Sequence, residues 1–97
     1  MGMARVWKGE GMTIREQLAD ESPEILLLDE EKYDEAIVGI VYKTSGMVAV
    51  YDTIKIIEIL NQEMSYEDAV DWYEVNIEGS YMGDKTPVYM TMLKDIL

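Results

Sequence analysis

From Thr13 onward, the hydrophobic positions fall into short periodic stretches separated by turn residues. Thr13-Ile14-Arg15-Glu16 has the capping-box form, in which the threonine oxygen accepts the N3 amide and the glutamate reaches back. It predicts a short helix to about Asp20. Ser22-Pro23 predicts a restart, with Ser as N-cap and Pro in the first helical position. Ile25 to Leu28 is an apolar run too short to separate a helical turn from a strand. Ala36 to Tyr42 is β-branched and apolar on both alternating faces, the pattern of a well-buried strand, and Gly39 within it marks a bulge or a close approach. Lys43 to Gly46 supplies a turn and Met47 to Tyr51 a second strand, so 36–51 is expected to form a β-hairpin.

Asp52 or Thr53 can cap a helix over about 53–63, in which Ile56, Ile57, Leu60 and Met64 share a face. Ser65 then caps a helix over about 66–78, where Tyr66, Ala69, Val70, Tyr73 and Ile77 form an apolar stripe. Glu67, Asp71, Glu74 and Glu78 run beside it as an acidic stripe, and Gly79 fits the position past the helix end. Pro87 to about Met92 is expected as a third, edge-like strand. A hairpin cannot belong to an all-parallel sheet, so the expected class is α+β: a small antiparallel sheet with the two central helices packed on one face.

Length and composition narrow this picture. Ninety-seven residues make one domain, and a hydrophobic content of 48% supports a compact core despite a net charge of −12. With neither Cys nor His, disulfides, thiolate zinc sites, Cys nucleophiles and imidazole chemistry are excluded. No apolar run reaches the roughly 20 residues of a membrane span, and the opening has no signal-peptide form, so a cytoplasmic location is expected. Residues 1–11 lack either period and carry Arg5 and Lys8, which reads as a flexible N-terminal arm before a single domain over 12–97. Lys8-Gly9-Glu10 can be encoded by a purine-rich string like a bacterial ribosome-binding site, which makes Met12 a candidate natural start.

The candidate chemistry is carried by carboxylates. Nine of them, against one Lys, fall between Glu16 and Glu35. Glu30 and Glu31 with Asp34 and Glu35, together with the stripe Glu67, Asp71, Glu74 and Glu78, are the dense groups. They are the candidates for Mg²⁺ or Ca²⁺ as well as for a binding surface, although no EF-hand spacing is present. Gly79 to Thr86 approaches the phosphate-cradling pattern G-x-x-x-x-G-K-T, but Asp84 stands where a glycine is needed and a helix precedes it, so it reads as a turn. Trp72 and Val75 lie off the apolar stripe, where an amphipathic aromatic can anchor an interface.

Tyr33-Asp34-Glu35-Ala36-Ile37-Val38-Gly39, Met64-Ser65-Tyr66-Glu67-Asp68-Ala69, Asn76 to Gly79 and Gly83 to Pro87 together resemble a family of small phage and prophage proteins of unknown function. The resemblance covers about residues 33–90. It implies a phage or prophage setting and a small accessory protein, and it carries over no activity, cofactor or catalytic residue.

The expected function is therefore non-catalytic protein binding through Glu30, Glu31, Asp34, Glu67, Asp71, Trp72, Glu74 and Glu78, with no cofactor. Carboxylates at phosphate-like spacing suit the basic groove of a host nucleic-acid enzyme, whereas 20 acids against 8 cations repel nucleic acid itself. Two alternatives stay open: a carboxylate-only, metal-dependent enzyme, and a small homo-oligomer, for example a homodimer, joined through Trp72 and Val75.

Overall fold

The computed structural model describes residues 13–97, so the expected N-terminal arm and the question of Met12 lie outside the described residues. The chain runs through helix α1 (Ile14–Glu21), a 3₁₀ turn (Glu31–Ala36), strands β1 (Ile37–Lys43) and β2 (Gly46–Asp52), and helices α2 (Thr53–Leu60) and α3 (Tyr66–Tyr73). A π-helical turn (Glu74–Glu78) extends α3, and strand β3 (Val88–Met90) and a 3₁₀ turn (Leu93–Asp95) complete the chain. The class is α+β.

The caps form where short polar side chains precede the apolar periods. Thr13 Oγ1 accepts from Glu16 N at 3.1 Å while Glu16 Oε1 accepts from Thr13 N at 3.0 Å, closing the capping box of α1. Asp52 accepts from Ile54 N and Lys55 N at the start of α2, and Ser65 Oγ accepts from Asp68 N at the start of α3. Ser22-Pro23 does not restart a helix. Residues 23–24 make only a turn and 25–28 run irregularly.

The sheet has the order β1-β2-β3. β1 and β2 form the expected hairpin, with Gly46 at φ 118° and a register shift between Ile37 and Gly39, which is the bulge that Gly39 foreshadows. The expectation of a wholly antiparallel sheet is corrected: β3 pairs parallel to β2, Val50 opposite Val88 and Tyr51 opposite Tyr89. The helical segment between them is long enough to return the chain to the far end of the sheet, and such a crossover delivers a parallel strand. The well-buried β1 is corrected too. Among the described residues β1 is an edge strand with no second neighbour, and its Val38, Val41 and Tyr42 are exposed; β2 is the buried strand.

The two central helices pack on one face, as expected. Tyr33, Ala36, Ala49 and Tyr51 meet Ile56, Ile57, Ile59, Leu60, Ala69, Tyr73 and Ile77 in one buried cluster. Each large aliphatic side chain there contributes roughly 1.5–3 kcal/mol by leaving water. Tyr51, Tyr73 and Tyr89 stack through the core, with ring centroids 5.9 Å apart in both contacting pairs. Two of the three hydroxyls are placed by hydrogen bonds: Tyr51 accepts from Leu28 N at 2.9 Å, and Tyr73 lies 3.0 Å from Thr53 Oγ1, whereas the Tyr89 hydroxyl is buried with no partner among the described residues.

Candidate functional site

Helix α3 sets the geometry of the site. Its apolar stripe binds the core through Ala69 and Tyr73, which leaves Trp72 on the shoulder, 38% exposed, and Val75 outward at 73%. At about 100° per residue, Asp68 stands only about 40° from Trp72 around the axis, whereas Glu67 stands about 140° away. The expected acidic stripe therefore does not border the tryptophan as a unit.

Beyond Tyr73 the hydrogen bonding widens to the π pattern, and Gly79 N donates to Glu74 O at 3.0 Å. A Cβ on Gly79 would fall 3.0 Å from that carbonyl and 3.2 Å from Val75 O, so glycine is favoured there by close approach and not by a left-handed φ. Asn76 Nδ2 donates to Trp72 O at 3.1 Å and holds the backbone behind the tryptophan.

Two grooves flank Trp72. One, of about 200 Å³, lies between α3 and the irregular segment after Leu27; Leu28, Asp29, Glu30, Tyr33 and Met82 are among its walls. The other, of about 520 Å³ and more open, lies over Met64, Asp68, Asp71 and Val75. Trp72 and Asn76 belong to both. Apolar floors and acidic rims thus meet on either side of one indole. Tyr33 in the narrower groove keeps a buried hydroxyl with no hydrogen-bond partner among the described residues, and burial pushes its pKa up. Leaving such a group unpaired costs about 1–3 kcal/mol.

The eight expected site residues separate. Glu30 and Trp72 share the narrower groove, and Asp71 and Trp72 the wider one. Glu67, Glu74 and Glu78 are exposed but line neither. Glu31 and Asp34 face away, into a third groove with Thr13, Ile14, Ile59 and Gln62. Asp34 is held by the fold: both its oxygens accept from Arg15, at 3.0 and 2.8 Å, and the same guanidinium donates to Leu28 O. That ion pair fastens α1 to the 3₁₀ turn and raises the Arg15 pKa, so the Asp34 carboxylate is occupied by the fold. Glu30 lies 3.3 Å from Lys32, which also binds Glu63 at 3.0 Å.

The site residues that sequence reasoning passes over are Asp29, Asp68, Asn76 and Met82. Spacing could have found Asp68, four residues before Trp72. The contribution of Asp29 and Met82 depends on irregular chain with no period. None of Asp29, Asp68 and Asp71 has a cation within ion-pair distance among the described residues.

The loop that resembles a phosphate cradle is tied to itself. Thr86 Oγ1 accepts from Met82 N at 2.7 Å and donates to Gly83 O at 2.6 Å, with Gly83 at φ 99°, while Lys85 binds Glu24 at 3.2 Å. Among the described residues no group of three or more acids gathers as a metal site would require, and no helix is long and apolar enough to cross a membrane. Comparisons with protein-family models, with curated proteins and with solved structures find no match.

Proposed function

We propose that this chain is a non-catalytic accessory protein that binds a basic protein partner through the surface centred on Trp72. The observation that carries the reading is the placement of one half-exposed indole between two apolar grooves rimmed by Asp29 and Glu30 on one side and Asp68 and Asp71 on the other. A tryptophan with apolar neighbours supplies the central anchor of an interface, and carboxylates around it, of which Asp29, Asp68 and Asp71 have no cation within ion-pair distance among the described residues, steer a cationic partner and select against acidic ones. The net charge of −12 extends that field over the molecule.

The partner class that fits is an enzyme that binds nucleic acid, whose basic groove accepts carboxylates in place of phosphates. A phage or prophage setting, implied by the family resemblance, agrees with inhibition of such a host enzyme. Self-association through Trp72 and Val75 is the weaker reading, because a second copy would bring the same acidic rims together at a cost.

The test is capture from a bacterial lysate at low and high salt, with wild type and Trp72→Ala side by side. Stoichiometric recovery of a basic nucleic-acid enzyme, lost at high salt and lost with Trp72→Ala, is the expected result. Equal recovery by the two proteins, or recovery of the bait alone, refutes the reading.

A further inference from the structure

We propose that the wider groove beside Trp72 receives an arginine side chain of the protein partner, its guanidinium laid against the indole and its N–H groups donated to Asp68 and Asp71. The inference rests on the Trp72-centred binding surface described above and names the side chain which that surface selects.

Helical spacing gathers the three groups. Asp68 lies four residues before Trp72 and three before Asp71 on α3, and residues so spaced carry their Cβ atoms about 5–6 Å apart. The groove that they line, of about 520 Å³, is also walled by Met64 and by the outward Val75. It therefore offers an aromatic surface, two carboxylates and apolar ground for the methylenes of a long side chain. Asn76, on the remaining wall, donates from Nδ2 to Trp72 O at 3.1 Å and fixes the backbone that carries the indole.

The charge calls for a cation. Neither Asp68 nor Asp71 has one within ion-pair distance among the described residues, whereas Glu30 in the narrower groove already lies 3.3 Å from Lys32. Like charges one helical turn apart repel each other, and a cation set between them relieves that repulsion.

The setting of the acceptors calls for arginine. A guanidinium is planar, so it stacks on an indole while the N–H groups along its edge reach acceptors on more than one side. A lysine ammonium has no plane and holds its water more tightly. Arginine is also the residue that basic grooves set against phosphates, in keeping with a partner that binds nucleic acid.

The test titrates the isotope-labelled full chain with two peptides, acetyl-Gly-Arg-Gly-amide and acetyl-Gly-Lys-Gly-amide. NMR reads the Trp72 indole N–H, assigned by its loss in Trp72→Leu. The arginine peptide is expected to shift that resonance and the amides from Asp68 to Asn76, and to bind about fivefold tighter than the lysine peptide. Trp72→Leu, which keeps an apolar wall, should abolish the preference, and Asp68→Asn with Asp71→Asn should weaken both peptides. Equal affinity of the two peptides at Trp72 overturns the arginine assignment and leaves the basic-partner reading standing. Shifts that gather at other acids while the Trp72 indole stays unmoved overturn both. Absence of any shift with either peptide overturns the inference alone, and capture of the partner then decides the reading beneath it.

Discussion

Two regions of this molecule carry carboxylates at similar density and use them in opposite ways. In the segment around the 3₁₀ turn, Asp34 is locked by both oxygens onto Arg15, and the same guanidinium holds the Leu28 carbonyl. On α3, Asp68 and Asp71 stand in solvent beside Trp72 with no cation near them among the described residues. The first arrangement spends charge on the fold and the second leaves it available to a partner. Carboxylate density therefore indicates a field, whereas the partners of each carboxylate decide its employment.

The comparison can be broken by removing polar groups from each side of it. The largest effect is expected at alkaline pH, where the fold-bound tyrosines titrate. Burial raises the pKa of Tyr51, Tyr73 and Tyr89, most of all Tyr89. A raised folded-state pKa means that stability is fully present below the unfolded value near pH 10 and is lost as pH climbs toward the folded values. Chemical denaturation across pH 8 to 12 should show a flat profile up to about 10 and a steep fall above it. A flat profile throughout would mean that the rings are not held neutral by the core.

Next in size is Asp34→Ala, which strands the Arg15 guanidinium and loosens α1. It is expected to cost about 2 kcal/mol, or roughly 10 °C in Tm, measured by thermal unfolding. Tyr51→Phe leaves Leu28 N without its acceptor and should cost about 1 kcal/mol, read from the urea midpoint at unchanged m-value. Smallest of all, the double change Asp68→Asn with Asp71→Asn should move stability by no more than about 0.5 kcal/mol, because beyond the favourable place of Asp68 in the first turn of α3 neither side chain is paired with a cation among the described residues. A loss comparable with that of Asp34→Ala would erase the distinction between the regions.

Much of the fold was legible because its signals are local. Thr13, Asp52 and Ser65 cap helices as their spacing suggests, Gly39 marks the bulge, and the stripe from Ala69 to Ile77 faces the core. The direction of β3 was not legible, since it depends on how two helices return the chain and not on the residues of 88–90 themselves. Nor was the exposure of β1: Val38 and Val41 have the chemistry of a buried strand, and only the order of strands among the described residues makes β1 an edge.

The site divided in the same way. Trp72 and Asp71 were legible from helical spacing. Asp34 looked identical to Glu30 in sequence, and the difference between them is made by Arg15, nineteen residues away. The groove beside Leu27 and Asp29 is built from irregular chain and has no periodic signal. A π turn after Tyr73 further shifts Glu74 and Glu78 from the positions that an uninterrupted helix would give them.

The most direct test of the central claim sets two charge reversals against each other in one capture assay. Asp68→Lys with Asp71→Lys alters the rim of the Trp72 surface, and Glu31→Lys with Glu35→Lys alters the groove on the other side of the 3₁₀ turn by the same amount. Both proteins should fold, as judged by circular dichroism, and the account predicts that the first loses the partner while the second retains it. Retention by the first with loss by the second would contradict the account and move the binding surface to the face that carries Glu31.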